Sequence, residues 1–364
     1  MIKTKDAVDA LLQKREKTAT VTYSEDDLLS TGSTLLNLAC TGNPNGGFFK
    51  GHYFQIVGDS TSGKTFLSLT CLAEANINKH FEDYRFIFDD GEGGALMDLT
   101  KFFGAGVADK IEPPRMEDGE SVYSSTLEDF YFHVDDAVKE GVPFIYILDS
   151  MDALSSVAEG AKFEERKEAS RKGKITTGIM TDGKAKINSS GLRNVLKGLK
   201  DTGSILIIIN QTRDKLGFMA GGKTRSGGYA LKFYTTLEIW SKVKESITKV
   251  VKGKKRDLGV VCELVVKKNR VTGRTPSIKV PILYSHGIDD IGSCVDYLIE
   301  EGTWKKSGTK VVASGLLKEG TMQRETLIHK IEEDDLEKKL VALVTKTWKD
   351  IEKASCLKRK SKYD

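Results

Sequence analysis

The segment from Gly58 to Thr65 reads GDSTSGKT and matches the phosphate-binding pattern G-x-x-x-x-G-K-[ST] in full. The apolar run YFQIV comes directly before it, and the helix-compatible stretch FLSLTCLAEA follows it. A strand, a glycine-rich loop and a helix in this order are the context that such a loop requires. A chance glycine-rich turn is the alternative, and the flanking elements argue against it. The segment therefore favours an α/β fold built around a nucleotide site.

The loop offers several kinds of group to a phosphate. Its backbone N–H groups lie at the positive end of the following helix, where they can surround phosphate oxygens. Lys64 adds a positive charge, and the Thr65 hydroxyl is a ligand for Mg²⁺. The ligand-binding residues predicted here are Gly58, Asp59, Ser60, Thr61, Ser62, Gly63, Lys64 and Thr65. A nucleoside triphosphate with Mg²⁺ is the expected ligand.

Four apolar runs bounded by turn residues follow one another along the chain: HYFQIVG, YRFIFDD, PFIYILDS and GSILIIINQ. Longer helix-compatible stretches separate them. Strands that alternate with helices form right-handed crossover units and a parallel sheet. We expect a mainly parallel central sheet covered on both faces, with its chemistry at the carboxyl ends of the strands.

Acidic residues stand at two of these strand ends. In FIYILDS, Asp149 is placed where its carboxylate can hold a magnesium-bound water, although an Asp that caps a helix is an alternative. In FDDGEGG, Glu92 can deprotonate the water that attacks a terminal phosphate. The neighbours Asp89 and Asp90 leave the identity of that base open.

The composition excludes several classes of protein. A net charge of +4 is too small to identify a polyanionic partner without local clustering. The five cysteines contain no CxxC pair, which argues against a zinc site or a disulfide framework and favours a reducing compartment. No segment approaches the roughly 20 apolar residues that span a bilayer, and the N-terminus lacks a signal-peptide pattern. We expect a cytoplasmic protein without a membrane partner.

Taken together, the motifs resemble those of the RecA-type homologous recombinases, including the phage UvsX branch, from about Leu29 to Leu316. The matching segments are STGSTLLNLACTGNPNGGFFKGHYFQIVGDSTSGKT, FDDGEGGAL, ILDSMDALS, LIIINQTRDKLGFMAGGKTRSGGYALKFY, and VKKNRVTG with KVPILYSHGID. Many ATPases share the phosphate loop, but INQTRDKLG followed by SGGYALKFY is particular to this group. The resemblance implies a RecA-type P-loop ATPase core with a mainly parallel central sheet.

The same resemblance implies a division of the chain. A short N-terminal helical arm for oligomerisation (1–30) would precede the ATPase and DNA-binding core (31–316). A small helical C-terminal region with a basic tail (317–364) would follow, and we expect that tail to recruit duplex DNA. Within the core, the run KESITKVVKGKKRDLG predicts a charged hairpin tip between LEIWSKV and VVCELVVKK.

Roles in ATP hydrolysis also follow from the resemblance. The implied catalytic residues are Glu92, Lys64, Gln211, Lys268 and Arg270. Glu92 would be the general base, and Gln211 would sense the terminal phosphate and signal to the glycine-rich loop beside it. Lys268 and Arg270 would reach the nucleotide of a neighbouring subunit, as an arginine finger does. On the residues alone, a strand-end amide and a solvated strand face are the alternatives.

Further ligand contacts are implied in the same way. Thr65 and Asp149 would serve Mg²⁺, Asp149 with Ser150 would form the second nucleotide motif, and Tyr284 in ILYSHGI would stack on adenine. The glycine-rich run from Gly217 to Gly228 mixes cationic, aromatic and glycine residues, as DNA binding requires. The predicted DNA-binding residues are Lys186, Arg193, Arg213, Phe218, Met219, Lys223, Arg225, Gly227 and Gly228.

The function that the resemblance implies is that of an ATP-dependent DNA recombinase. It would form helical filaments on single-stranded DNA, pair that strand with homologous duplex DNA, and exchange strands in recombination and repair, with a DNA-dependent ATPase releasing the filament. Other copies of the chain would be partners, with a single-strand-binding protein and a loader as candidate accessories. A ring helicase with the same ATPase core and a non-catalytic recombination mediator are the alternatives.

Overall fold

The computed structural model describes residues 24–172, 183–214, 223–225, 227–317, 321–357 and 359. The helices are α1 (Thr34–Thr41), α2 (Lys64–Asn76), α3 (Leu99–Phe103), α4 (Ala105–Ala108), α5 (Leu127–Lys139), α6 (Val157–Arg171), α7 (Lys184–Thr202), α8 (Tyr229–Tyr234), α9 (Asp290–Glu300), α10 (Arg324–Glu333) and α11 (Glu337–Ala354). The predicted N-terminal helix, Phe218, Met219, and positions 358 and 360–364 of the basic tail lie outside the described residues.

Most strands are short, and the longest are β9 and the two strands of one hairpin. They are β1 (Leu28–Leu29), β2 (Phe48–Phe49), β3 (Tyr53–Gly58), β4 (Arg85–Asp89), β5 (Ile111–Glu112), β6 (Arg115–Glu117), β7 (Glu120–Val122), β8 (Phe144–Leu148), β9 (Ile205–Asp214), β10 (Lys223–Arg225), β11 (Leu237–Val251), β12 (Lys254–Asn269), β13 (Ser277–Leu283), β14 (Gly287–Ile288), β15 (Lys305–Ser307), β16 (Lys310–Val312) and β17 (Thr321–Gln323).

The four apolar runs form β3, β4, β8 and β9 of one ten-stranded sheet, whose order is β14-β13-β12-β11-β3-β9-β8-β4-β5 with β10 added to β9. All pairings from β11 through to β5 are parallel. The pairings of β12, β13, β14 and β10 are antiparallel. The prediction of an α/β fold with a mainly parallel central sheet is confirmed.

Both faces of this sheet are buried, because successive side chains of a strand point to opposite sides. On β9, Ile205, Ile207 and Ile209 belong to one core, which also takes in apolar residues of α1, α2 and the C-terminal helices. Leu206 and Ile208 belong to the other core, which α5 and α7 cover. The continuous apolar runs in the sequence therefore reflect two layers of packing on a single sheet.

The register of the parallel strands aligns their carboxyl ends. Gly58, the last residue of β3, is paired with Gln211 on β9, and Asp89 on β4 is paired with Leu148 on β8. Asp149 follows Leu148 directly. The phosphate loop and the acidic residues predicted at strand ends thus meet at one edge of the sheet.

The predicted charged hairpin is formed by β11 and β12, which pair antiparallel over most of their length. Lys252 and Gly253 make the two-residue turn, with positive φ angles of 50° and 73°. Positive φ at both central positions matches the twist of the flanking strands, and glycine adopts it without strain. The prediction of a hairpin at this position is confirmed.

The C-terminal region contains helices α10 and α11, as expected, together with strands that the sequence analysis did not predict. The strands β15, β16 and β17 form a three-stranded antiparallel sheet. Because β15 and β16 precede Leu317 and β17 follows it, this sheet spans the predicted boundary between core and C-terminal region. The three-part division of the chain stays a prediction.

Helices α5 and α7 pack closely where α7 carries glycines. A Cβ atom at Gly191 would overlap the ring of Tyr131 on α5, and one at Gly198 would overlap Val138. The Tyr131 ring is held in place, because its hydroxyl donates to Asn188 Oδ1 over 3.0 Å. Gly160, within α6, differs from both: a Cβ atom there meets nothing within 4 Å among the described residues.

We therefore expect Gly191→Ala and Gly160→Ala to change stability in opposite directions. Gly191→Ala should lower the free energy of unfolding by about 1–3 kcal/mol, because it forces Tyr131 or α7 to move. Gly160→Ala should raise it by up to about 1 kcal/mol, because alanine is the better helix former. Urea unfolding followed by circular dichroism measures both. Equal effects of the two substitutions would contradict this account of the packing between α5 and α7.

Candidate nucleotide and DNA-binding site

The phosphate loop joins β3 to α2 and is shaped by two residues with positive φ, Thr61 at 61° and Gly63 at 79°. Within the described part of the chain, no side chain caps the first turn of α2, so its amides can serve an anionic ligand. Lys64 is only 7% exposed, and its Nζ donates to the backbone oxygen of Asp59 over 2.6 Å. Burial lowers the pKa of Lys64, while the nearby carboxylates of Asp149 and Glu92 oppose that shift. The buried ammonium of Lys64, together with backbone amides that no side chain caps, suits a phosphate group.

Thr65 and Asp149 meet beside this loop. The Thr65 hydroxyl donates to Asp149 Oδ2 over 2.5 Å. Asp149 is 5% exposed, and burial is the main cause that raises its pKa to about 6. No group of three or more His, Cys, Asp or Glu side chains that could hold a metal is found in the described ranges. The pair fits Mg²⁺, which binds through one or two protein oxygens and takes its other ligands from phosphates and waters.

Glu92 lies with Ser150 and Gln211 at the mouth of the site. Its Oε1 accepts hydrogen bonds from the Ser150 hydroxyl and from Gln211 Nε2, the latter over 2.9 Å. Glu92 and Gln211 both line a cleft of about 400 Å³ at the carboxyl edge of the sheet. The structure therefore brings the predicted base into direct contact with the predicted phosphate sensor.

Asp89 and Asp90, the two acids that precede Glu92 in the sequence, form hydrogen bonds with other partners. Asp89 is fully buried, where it accepts hydrogen bonds from the Ser124 hydroxyl over 2.5 Å and the Tyr146 hydroxyl over 2.6 Å. Asp90 accepts from the backbone amides of Gly94 and Ala95 and holds the turn after β4. Of the three acids, Glu92 is thus the one that faces the cleft, and its role as base stays a prediction.

Asp152 is a functional candidate that sequence reasoning missed. Its Oδ2 accepts the backbone N–H of Gln211 over 2.6 Å and Asn210 Nδ2 over 3.3 Å. Its Oδ1 lies 3.4 Å from the guanidinium of Arg213. The signal in the sequence was a second acid in ILDSMDALS, three residues after Asp149. Asp152 fixes the end of β9, on which both Gln211 and Arg213 lie.

Lys268 and Arg270 lie at the C-terminal end of α8. Lys268 Nζ donates to the backbone oxygens of Lys232 and Phe233, over 2.5 Å and 2.9 Å, and Arg270 also donates to the oxygen of Phe233. Burial, followed by the charge of Arg270, lowers the pKa of Lys268 to about 8. Cations at these carbonyls complement the negative end of the helix. Their reach to a neighbouring subunit stays a prediction.

Tyr284 follows β13, and its side chain is 54% exposed. Two residues earlier, Ile282 packs so closely on the phosphate loop that a Cβ atom at Gly63 would lie 2.6 Å from Ile282 Cδ1. The end of β13 therefore adjoins the loop, and Tyr284 is available for a planar ligand. Stacking on adenine stays a prediction.

The predicted DNA-binding residues gather around α7 and the end of β9. Lys186 and Arg193 are exposed and seven positions apart on α7, which places them on one face of that helix. Gly227 and Gly228, both with φ of 81°, bring the chain onto α7: Asn188 Nδ2 donates to the Gly227 oxygen over 2.9 Å, and a Cβ atom at Gly228 would lie 2.8 Å from Ala185 Cβ.

Arg225 differs from the other candidates because it is buried. Its side chain is 8% exposed and lies 3.7 Å from the carboxylate of Glu238, itself 3% exposed. Arg225 Nε also donates to Gln55 Oε1 over 3.2 Å. In the described conformation, Arg225 is turned into the protein, and its contact with DNA stays a prediction.

Two clefts share a wall at this end of the sheet. Glu92 and Gln211 line the first, and Lys184, Arg225, Gly227 and Gly228 line a second cleft of about 430 Å³. Asp152 and Arg213 line both. The arrangement can transmit a change at the nucleotide edge to the predicted DNA side through one short stretch of β9.

Comparison with known proteins adds an independent finding. A family model described as the RecA N-terminal domain matches residues 134–289. The chain is similar to Protein RecA of Chlorobaculum tepidum, with 30% identity over 318 residues that cover 83% of this chain and 80% of the relative. It is 29% identical to Protein RecA of Chlorobium limicola over 319 residues and of Cytophaga hutchinsonii over 323 residues, each alignment covering 83% of this chain and 79% of the relative.

The raised pKa of Asp149 predicts how stability depends on pH without nucleotide and Mg²⁺. The unfolded carboxyl ionises near pH 4 and the folded one near 6, so ionisation favours the unfolded chain and stability falls across that interval. Asp149→Asn removes this effect. We expect the variant to gain up to about 3 kcal/mol over the wild type between pH 4 and 6, with a constant difference above. Urea unfolding from pH 4.5 to 8 measures the difference, and one that does not vary with pH would contradict the prediction.

Proposed function

The chain belongs to the RecA family, and from this premise we propose that it is an ATP-dependent DNA recombinase. It forms helical filaments on single-stranded DNA, pairs that strand with homologous duplex DNA and exchanges strands, with DNA-dependent ATP hydrolysis releasing the filament. The hydrogen bond between Glu92 and Gln211 is the observation that carries the proposal. It joins the candidate base for hydrolysis to the strand that continues into the glycine-rich segment.

In the proposed hydrolysis, ATP lies on the phosphate loop and Lys64 holds its terminal phosphates. Mg²⁺ held at Thr65 and Asp149 would neutralise phosphate charge. Glu92 accepts the proton of the attacking water, and its bonds to Ser150 and Gln211 fix the orientation of its carboxylate. Tyr284 contacts the base of the nucleotide.

Coupling to DNA runs along β9. A terminal phosphate that draws the Gln211 amide away from Glu92 alters the position of the strand end, which Asp152 holds through the Gln211 backbone. Arg213, two residues further, lies on the same carboxylate and lines the second cleft. One short segment therefore connects the nucleotide state to the grip on DNA.

DNA is held through its backbone in this proposal. Cations on α7 and at the end of β9 neutralise phosphates, and base pairing between the DNA strands, not a side-chain code, tests homology. Lys186, Arg193 and Arg213 are exposed and suited to this role. The proposed set also contains Phe218 and Met219, which lie outside the described ranges, together with Lys223, Arg225, Gly227 and Gly228.

Assembly completes the ATP site. Lys268 and Arg270 are proposed to leave the end of α8 and to reach the phosphates of the neighbouring subunit's nucleotide, where they stabilise the transition state. A phosphate group offers them more negative charge than the helix carbonyls that they contact in the single chain. Hydrolysis would then be fast only within a filament.

Several finer points stay predictions. They include the phage UvsX-like branch, the cytoplasmic location, and the accessory single-strand-binding protein and loader. In the described ranges, none of the helices has both the length and the apolar character that crossing a bilayer requires. A ring helicase and a non-catalytic mediator remain the competing functions.

One experiment separates these functions. ATP turnover is measured with and without single-stranded DNA, and the products are imaged by negative-stain electron microscopy. Helical filaments with DNA-stimulated turnover support the recombinase, closed rings support the helicase, and the absence of turnover supports the mediator.

Glu92→Gln should slow ATP hydrolysis by about 10²–10⁴-fold, because glutamine cannot accept the proton of the attacking water. ATP-dependent filaments should still form, because the phosphate loop is unchanged. A steady-state ATPase assay and electron microscopy measure the two properties. Asp90→Asn is the control, and a larger loss of turnover in that variant than in Glu92→Gln would assign the base to Asp90.

Lys268→Ala should reduce turnover of the DNA-bound assembly far more than turnover of the chain without DNA, because Lys268 acts across the subunit boundary. A loss of at least about 10³-fold in the assembled state is expected for a finger residue. Lys267→Ala is the matched control, since the Lys267 ammonium lies over the Trp240 ring at 4.3 Å instead. Equal losses with and without DNA would place Lys268 outside the shared site.

A further inference from the structure

Asp59, the second residue of the phosphate loop, is bonded to the glycine-rich segment. Its Oδ2 forms an ion pair with the ammonium of Lys223 on β10, and its Oδ1 accepts a hydrogen bond from the Thr212 hydroxyl on β9. Both oxygens of this carboxylate are thus used by the strand pair β9–β10. The partners are 153 and 164 positions away in the sequence.

The same residue lies next to the lysine that serves the phosphates. The backbone oxygen of Asp59 accepts a hydrogen bond from Lys64 Nζ over 2.6 Å. The bonds from Lys223 and Thr212 hold the pKa of Asp59 below its usual value, and the charge of Lys64 adds to that shift. Because a P-loop lysine reaches the β- and γ-phosphates, Asp59 borders the place of the terminal phosphate. Lys223, which contacts Asp59, is therefore separated from the expected position of the terminal phosphate by a single side chain.

Both described cations of β10 contact other strands or loops of the central sheet. Lys223 contacts Asp59, and Arg225 contacts Gln55 on β3 and Glu238 on β11. Thr224, between them, is exposed, and the Lys223 side chain is itself 47% exposed. In the described conformation the Lys223 ammonium is thus held at the phosphate loop.

We propose that Lys223 is a nucleotide-binding residue whose ammonium contacts the terminal phosphate of ATP bound in the same chain. Asp59 holds the ammonium at the loop while the phosphate is absent. An exposed ion pair is weak, and a triphosphate offers more negative charge than one carboxylate, so the ammonium turns to the phosphate when ATP binds. A lysine has three donors and can keep Asp59 as a second partner.

This inference rests on the proposed function, which identifies the ligand as ATP. It adds a contact between Lys223 and the terminal phosphate, which ATP has and ADP lacks. Because β10 is paired with β9 through Lys223 and Asp214, a bound terminal phosphate would stabilise the paired strands. Loss of that phosphate on hydrolysis would weaken the hold on β10. The predicted DNA segment would then be tied to the nucleotide directly, beside the route through Gln211.

The test compares the affinities of ATPγS and ADP, each with Mg²⁺, in the full chain without DNA. Lys223→Gln should weaken ATPγS binding about tenfold or more and change ADP binding by less than about threefold, because ADP lacks the phosphate that Lys223 contacts. Lys223→Arg should keep most of the preference for ATPγS. Lys197→Gln removes the same charge from the exposed side of α7 and should leave both affinities unchanged.

Asp59→Asn supplies an independent arm. Because the Asp59 carboxylate competes with the terminal phosphate for the Lys223 ammonium, its removal should strengthen ATPγS binding several-fold. Most of that gain should be lost in the double variant Asp59→Asn with Lys223→Gln, which has no ammonium to release. Thermal unfolding of each variant without nucleotide checks that the fold is retained. A gain of the same size in the single and double variants would overturn the proposal.

A second outcome would also overturn it. If Lys223→Gln leaves both nucleotide affinities unchanged but weakens binding of single-stranded DNA at saturating ATPγS, then Lys223 is a DNA contact. Failure of the recombinase proposal can be told apart from these two outcomes. In that case the wild type itself would lack ATP-dependent binding of single-stranded DNA. The preference for ATPγS over ADP is measured without DNA and therefore tests Lys223 separately.

Discussion

The parallel register between β3 and β9 pairs Gly58 with Gln211, and the positions of the other functional groups depend on that pairing. It places the start of the phosphate loop beside the strand that leads into the glycine-rich segment. The neighbouring register of β8 then brings Asp149 to Thr65, and that of β4 brings Glu92 to Gln211. Because both faces of the sheet are packed, a slip of one residue would move every side chain of the strand into the opposite core, whose packing it does not match, and is strongly disfavoured.

On this edge, carboxylates organise the cations and amides. Asp149 accepts a hydrogen bond from the Thr65 hydroxyl, and Glu92 accepts one from the Gln211 side-chain amide. Asp152 accepts the backbone N–H of Gln211 at the end of β9, and Asp59 pairs with Lys223 on β10. An edge this rich in negative charge is unfavourable without compensation, and Lys64 lies among these groups. Binding of a triphosphate with Mg²⁺ would rearrange several of these hydrogen bonds and ion pairs at the same time. This joint rearrangement is the basis of the proposed coupling between nucleotide and DNA.

Much of the fold could be predicted from the sequence, because the apolar runs of β3, β4, β8 and β9 are long and the phosphate loop has an unambiguous pattern. The strands β15, β16 and β17 could not, since three residues are too few for any periodicity to show. The link from Asp59 to Lys223 was equally hidden, because only the folded sheet brings together residues 164 positions apart. The burial of Arg225 depends on Glu238 across the sheet, and a cation in a glycine-rich run otherwise indicates an exposed DNA contact.

The ion pair of Arg225 with Glu238 has a consequence for selectivity. One oxygen of Glu238 has no hydrogen-bond partner among the described residues, and the other accepts from Trp240 Nε1 over 2.7 Å. Withdrawal of Arg225 would therefore leave this buried carboxylate without its ion pair. Such a loss typically costs about 3 kcal/mol or more, which would limit the released form to on the order of one chain in a hundred. Brief encounters with stray polyanions would then seldom dislodge this arginine, whereas a strand bound in the proposed filament would have to supply contacts that offset this cost.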